Sequence, residues 1–194
     1  MQLTAAFEML NPVPVKRCGN ERLQASPCAI DPSAPMQFSL FSSIRELHRS
    51  DRLACEQFFG KLDRYDIRMR FASAGASSAD LFFPDAGKRA EGIALAAVDG
   101  ADVILGIVNL ALVGSGSAEF AVIVRSDHKR RGIGRSLIEH AVQRAARDGF
   151  SDLLGYVLAE NRPMLALAGE MRFQRLRWHE LFVVVSRHLP STAV

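Results

Sequence analysis

The residues whose types and spacing best suit chemistry lie between Ala118 and Leu137. Glu119 heads an apolar run, Phe120 to Val124, and the segment ends in Lys129-Arg-Arg-Gly-Ile-Gly134 followed by Arg135 and Ser136. An apolar strand that feeds a helix through a basic, glycine-bearing loop is a phosphate-binding arrangement. Free N–H groups at the helix N-terminus and the positive end of its dipole favour a polyanion. Gly132 and Gly134 let phosphate oxygens approach the backbone with no Cβ in the way. Lys129, Arg130, Arg131 and Arg135 add positive charge around that point. Two other phosphate readings fail on spacing. A Walker A loop requires a Gly-Lys-Ser/Thr that is absent, and a dinucleotide fingerprint requires a third glycine where Leu137 stands. Taken alone, Gly-x-Gly is weak evidence, and the basic run His128 to Arg131 is also what a solvated face looks like.

The elements around this loop are legible from periodicity and punctuation. Residues 1 to 35 hold four of the eight prolines, Pro12, Pro14, Pro27 and Pro32. They read as an irregular arm preceding one domain over 36–194. Met36 to Ile44 reads as a first strand. Asp51 to Gly60 reads as a helix with Leu53, Ala54, Phe58 and Phe59 on its apolar face, and a short helix follows near Asp63 to Phe71. Ser73 to Ser78 is a loop. Gly92 to Val98, Val103 to Val113 and Ala118 to Arg125 are strands. Asp99-Gly100 signals a two-residue hairpin between the first two, and Gly114-Ser115-Gly116 a turn before the third.

Arg130 to Asp148 is the clearest helix. Leu137, Ile138, Ala141, Val142, Ala145 and Ala146 share one face, Glu139, Gln143, Arg144 and Arg147 the other. Gly149 stands where a left-handed C-terminal cap belongs. Asp152 to Leu158 is a buried strand, Arg162 to Met171 a helix, and Gln174 to Trp178 and Leu181 to Leu189 are closing strands. The order β-α-α-β-β-β-α-β-α-β-β describes a mixed sheet with a parallel strand–helix–strand crossover at its centre.

Bulk composition narrows the function classes. The chain has 194 residues, 48% hydrophobic and 23% charged, with a formal charge of +3. That suits one globular domain and an anionic ligand, and it is too weakly basic to argue for nucleic acid. The three cysteines, Cys18, Cys28 and Cys55, form no C-x-x-C pair. A reduced cytoplasmic protein is expected, although Cys18 and Cys28 could pair. The first ten residues lack the pattern of a signal peptide. The longest apolar stretch, Ile104 to Val113, is broken by Asn109 and far too short to span a membrane. His48, His128, His140, His179 and His188 show no metal spacing, and Asp63 and Asp66 read as helix-start charges.

Lys129-Arg-Arg-Gly-Ile-Gly134 resembles the Q/R-x-x-G-x-G/A signature of the GNAT superfamily of N-acetyltransferases. Val157 to Asn161 and Met164 to Phe173 resemble the strand and helix that follow it there. The resemblance implies a GNAT fold over roughly residues 36–189: an α/β (α+β) domain with a mixed, mostly antiparallel sheet of six or seven strands, a central β-α-β acyl-CoA-binding crossover and about four helices. Ala118-Glu-Phe-Ala121, Leu158 to Leu165 and Phe58-Phe-Gly60 are most similar to the catalytic domain of bacterial protein lysine acetyltransferases. Neither of the modules often fused to that domain is present in this sequence.

The resemblance further implies direct transfer of an acetyl group from acetyl-CoA to a primary amine, with no metal. Glu119 is then the general base. A lysine ammonium, with a pKa near 10.4, must lose a proton before it can attack, and apolar neighbours should raise the Glu119 pKa toward usefulness. Val122, Ile123 and Val124 offer backbone groups to the pantetheine arm, and an N–H there can polarise the thioester oxygen. Lys129, Arg130, Arg131, Gly132, Ile133, Gly134, Arg135 and Ser136 hold the pyrophosphate. Asn161 contacts the pantetheine arm, and it also suits a helix N-cap. Three departures stand out: Lys129 at the first signature position, Arg172-Phe173 for the usual Gly-Phe, and Ala168 where many relatives keep a tyrosine. The sequence's tyrosines are Tyr65 and Tyr156. A protein lysine is the leading acceptor, and a small amine or antibiotic is the alternative. A non-catalytic acyl-CoA-binding module is the reading from another class, and a homodimer is possible in any of them.

Overall fold

The computed structural model describes residues 41–71, 92–113, 116–178 and 181–190. They belong to a compact unit, Ser39–Val194. Its strands are β1 (Ser43–Glu46), β2 (Gly92–Val98), β3 (Ile104–Val113), β4 (Ser117–Val124), β5 (Asp152–Leu158), β6 (Gln174–Trp178) and β7 (Phe182–His188). Its helices are α1 (Arg52–Phe59), α2 (Arg64–Phe71), α3 (Ile133–Arg147) and α4 (Arg162–Glu170). The strands form one sheet in the order β1-β2-β3-β4-β5-β7-β6, in which only β4 and β5 run parallel. This is a mixed, mostly antiparallel sheet with a β4-α3-β5 crossover, as the resemblance implied, and it has seven strands where six or seven were expected.

Both faces of the central strands are covered, which is why β2 and β3 read as nearly continuous apolar runs. On one face Leu137, Ile138, Ala141 and Ala145 of α3 and Leu165 and Ala168 of α4 pack on Leu105, Val108, Leu110, Phe120 and Leu153. On the other, Cys55 and Phe58 of α1 pack on Ala96, Ile104, Ile107 and Ile123. The sheet is therefore the middle of three layers. Phe120 points toward the α3–α4 face and Glu119, by the strand's alternation, toward the face that carries α1 and α2.

Several local expectations shift. Strand β1 begins at Ser43, and Met36 to Leu40 lie outside the described residues, as do Ser73 to Ser78. Leu53, expected in the apolar face of α1, is 65% exposed, and that place is taken by Cys55, which is wholly buried. The β2–β3 connection is longer than a two-residue hairpin, because β2 and β3 close at Val98 and Ile104. The Asp99 carboxylate accepts from the N–H groups of Ala101 and Val103 at 2.9 Å, an Asx-type closure that competes with a tighter turn. Helix α3 begins at Ile133, not Arg130. Arg130 and Gly132 hold φ of 60° and 81°, which no helix accommodates, so the basic residues remain in the turn. At its far end Gly149, at φ 83°, is the left-handed cap.

Candidate active site

The site is where β4 and β5 part. They pair only from Ser117 to Glu119 and from Asp152 to Leu154. Beyond that point Phe120–Val124 and Gly155–Leu158 diverge, and a cleft of about 820 Å³ opens between them. The Phe120 ring lies over Gly155, where a Cβ would come within 2.7 Å of it. Phe173 packs against the same ring at 5.2 Å between centroids. The ring thus fills the closed end of the wedge on the α3–α4 side. Among the described residues the edge of β4 facing β5 has no strand partner past Glu119, so its backbone groups are available to an extended ligand that pairs as a strand does.

One end of the cleft is the turn into α3. The first bond of that helix runs from Ser136 N–H to the Gly132 carbonyl. The N–H groups of Ile133, Gly134 and Arg135 therefore have no intrahelical acceptor and face outward at the positive end of the dipole. The two glycines serve different needs. Gly132 is required by its left-handed φ of 81°, and a Cβ there would touch nothing within 4 Å. Gly134 has ordinary helical geometry, but a Cβ would stand 3.6 Å from Val124 and 3.7 Å from Leu167, both of which line the cleft.

The charges divide unevenly. Lys129, expected beside the phosphate, bonds through its ammonium to the carboxylate of Asp66 on α2. Arg135 pairs with Glu170 of α4. Arg130 and Arg131 form no ion pair among the described residues. Of the residues assigned to the cofactor, Val122, Ile123, Val124, Lys129, Arg130, Gly132, Ile133, Gly134, Arg135 and Asn161 line the cleft, whereas Arg131 and Ser136 do not. The Ser136 N–H is committed to the helix and its carbonyl accepts from His140. Asn161 caps α4, its Oδ1 accepting from Met164 N–H at 3.2 Å.

Glu119 is the last β4 residue paired to β5 and stands at the closed end of the wedge rather than along its lining. Burial pushes its carboxyl up to about 7, against an opposing pull from the Arg70 guanidinium. Arg70, near the end of α2, donates to Asn109 Oδ1 at 3.0 Å. Asn109 is itself a buried polar residue on β3, opposite Ala121. Tyr156 lies on the same sheet face as Glu119, lines the cleft, and has its phenol pKa raised, first by burial and then by the Glu119 charge.

Sequence reasoning missed Arg70, Asn109 and Tyr156, which come together from three elements remote in the chain. A polar residue set among apolar neighbours in a strand, as Asn109 is in β3 and Tyr156 in β5, was the available signal. It also undervalued Asp66, which is no simple helix-start charge. Asp63 fills that role, its Oδ1 accepting from Asp66 N–H at 2.7 Å. Ala168, where relatives place a tyrosine, is 1% exposed in the core and does not reach the cleft. Arg172, where relatives keep glycine, holds φ 62° in the left-handed region that glycine occupies freely. Among the described residues no group of three His, Cys, Asp or Glu side chains is placed to hold a metal, and no helix is long and apolar enough to cross a membrane.

A splayed parallel strand pair, an open strand edge and a glycine turn at a helix N-terminus make a site for a long ligand with an anionic end. The acetyltransferase (GNAT) family matches residues 52–173, and the chain belongs to that family. Among solved structures it resembles the GNAT domain of PAT from S. lividans, with TM-score 0.67 and 21% identity over 75% of this chain and 89% of that one. It also resembles the ribosomal-protein-S18-alanine N-acetyltransferase of Escherichia coli, with TM-score 0.60 and 17% identity over 78% and 96% of the two chains. A third neighbour, yncA of Salmonella typhimurium, was solved with its cofactor acetyl-CoA; its TM-score is 0.61, with 16% identity over 78% of this chain and 96% of that one. These likenesses establish the fold, and the family makes the protein an acetyl-CoA-dependent acetyltransferase.

Proposed function

We propose that this enzyme transfers an acetyl group from acetyl-CoA directly to a primary amine, that Glu119 is its general base, and that the acceptor is a lysine side chain of a protein. The observation that carries the reading is Glu119 itself: a carboxyl raised to about 7 at the closed end of the strand wedge. A base is most effective when its pKa lies near the working pH, and a module that only binds acyl-CoA has no use for one.

The residues present fit acetyl-CoA. The N–H groups of Ile133, Gly134 and Arg135, with Arg130, face the place for the pyrophosphate. The unpaired edge of Val122 to Val124 suits the amide groups of the pantetheine arm, with Asn161 at the opposite wall. Bound there, acetyl-CoA supplies an acetyl group activated as a thioester. Glu119 takes the proton of the incoming ammonium, directly or across one water, and a β4 N–H donates to the thioester oxygen as charge develops on it. Arg70 limits how far burial raises the Glu119 pKa, so the carboxylate is available near neutrality.

The branch of the family rests on the Ala118-Glu-Phe-Ala121 and Leu158 to Leu165 phrases and on the likeness to the S. lividans PAT domain. The test is release of free coenzyme A thiol with acetyl-CoA against panels of proteins and small amines. Turnover on lysine-bearing proteins that falls at least about a hundredfold in Glu119→Gln supports the reading. Turnover on small amines alone moves the acceptor class, and equal turnover in Glu119→Gln removes the base.

A further inference from the structure

We propose that Arg70 forms an anion subsite in the acceptor half of the cleft, so that the amine to be acetylated stands beside a carboxylate. The inference rests on the acetyl-transfer reading and adds the chemistry of the acceptor. Its starting point is an incomplete set of partners. Among the described residues, Arg70 Nε is the buried side-chain polar atom without a hydrogen-bond partner. One terminal nitrogen donates to Asn109 Oδ1, a neutral acceptor, and the guanidinium carbon lies 4.7 Å from the Phe71 ring centroid. No carboxylate among the described residues stands within ion-pair distance of it.

Four other arginines of the fold are treated differently. Arg45, Arg68, Arg125 and Arg144 sit nearer the surface and reach carboxylates at 2.6–3.0 Å. The strongly desolvated Arg70 guanidinium is therefore left without an anion, the reverse of what electrostatics favours in a finished protein interior. Burial lowers its pKa to about 10, with Glu119 the acid that opposes this. Glu119 cannot serve as the missing partner and also be the base: an ion pair would hold its pKa down, and the carboxyl sits at about 7.

Arg70 lines the cleft beside Met69 and Tyr65. A ligand carboxylate there meets a guanidinium whose plane Asn109 and the Phe71 ring already hold in place. Such preorganised, charge-assisted bonds favour a carboxylate over its neutral amide. Because Glu119 and Arg70 act on each other across the same sheet face, an acceptor held by Arg70 brings its amine toward the base. Two sources supply this chemistry: an acidic residue next to the target lysine, and the carboxylate of a small amino acid.

The experiment compares kcat/KM for matched acceptors, lysyl peptides flanked by Glu or by Gln and small amino acids against their amides. Wild type, Arg70→Met and Arg70→Lys are assayed. A preference for the carboxylate acceptor of at least about tenfold in wild type, carried by KM and reduced to within about twofold in Arg70→Met, is the result expected. Preference confined to peptides assigns the carboxylate to a neighbouring residue, and preference confined to amino acids assigns it to a small acceptor. Equal use of charged and neutral acceptors by wild type, or an equal loss for both in Arg70→Met, overturns the proposal. A second readout does not need turnover. The Arg70 Nε–H resonance of the wild-type protein should move when the dipeptide lysyl-glutamate is added and not with lysyl-glutamine. If no amine is acetylated, the acetyl-transfer reading fails while that resonance still decides the subsite, and an unmoved resonance with both dipeptides overturns it.

Discussion

Lys129, the first residue of the glycine-turn signature, is bonded to Asp66, a residue 6% exposed on α2. Asp66 also accepts from Ser126 Oγ at 2.6 Å, and Ser126 Oγ in turn accepts from Asp63 N–H at 2.9 Å. The cofactor turn and the helix that carries Met69 and Arg70 are thereby joined into one piece.

We infer from this that Lys129 serves position more than phosphate contact. Lys129→Met should leave coenzyme A affinity within about threefold of wild type by calorimetry, because that ammonium is already engaged. It should destabilise the fold by about 2 kcal/mol, since it strands a buried carboxylate, discounted for the half-exposed lysine. Adding Asp66→Asn should recover most of the loss. Arg130→Met should weaken coenzyme A binding and flatten its dependence on salt. A large loss of affinity in Lys129→Met with the salt slope reduced would make Lys129 a phosphate ligand.

The two glycines of the turn should separate under mutation. Gly134→Val should leave the fold standing, because the contacts at 3.6 and 3.7 Å are ordinary. It should weaken acetyl-CoA binding by more than about tenfold, or about 1.4 kcal/mol, by filling the approach to the helix N-terminus. Gly132→Ala meets no neighbour but is held at φ 81°, so its cost falls on stability, at about 1 kcal/mol. Thermal melts and calorimetry on the two variants read this division, and unchanged affinity in Gly134→Val would exclude the turn as the phosphate site.

The raised pKa of Glu119 links activity to stability in opposite directions. In the free enzyme kcat/KM should rise with pH through about 7, as the carboxyl deprotonates. The folded protein holds this proton where the unfolded chain, near the ordinary 4.5, releases it. Stability should therefore fall as pH climbs from about 4.5 to beyond 7. Glu119→Gln should be inactive for transfer yet more stable than wild type at pH 8 by about 1–3 kcal/mol. Arg70→Met should shift the kinetic limb to higher pH, since it removes the charge that holds the Glu119 pKa down. Urea melts across pH and a pH–rate profile test both signs.

The leaving thiolate should depart without a dedicated acid. A thiol with a pKa near 8.5 leaves readily in water near neutrality. Ala168 is enclosed, so Ala168→Tyr should destabilise by overpacking, by about 1–3 kcal/mol, with no gain in rate. Tyr156→Phe should lower kcat less than about tenfold and leave the alkaline side of the pH profile flat. An alkaline limb present in wild type and lost in Tyr156→Phe would show that this half-buried phenol, on the same sheet face as Glu119, has taken over the task.

Local information was enough for much of this. Period-two and period-3.6 patterns, Gly149 and the Gly132–Gly134 pair placed the strands, α3 and the glycine turn before it, because backbone conformation and the exposure of a helix N-terminus depend on neighbours a few residues apart. Glu119 was legible as a carboxylate before an apolar strand. Where β4 and β5 part was not legible: that depends on Phe120 and Gly155 meeting across the sheet, and no window of sequence contains both. For the same reason neither the ion pair of Lys129 nor the enclosure of Ala168 was legible. The partner of Lys129 is on α2, and the surroundings of Ala168 are core. The sequence by itself determined the elements and the chemistry that each could offer. The tertiary structure decided which charges are already spent, on Asp66 and Glu170, and which, on Arg70 and Glu119, act on each other without an ion pair, because Coulomb energy and desolvation depend on distance in space and not along the chain.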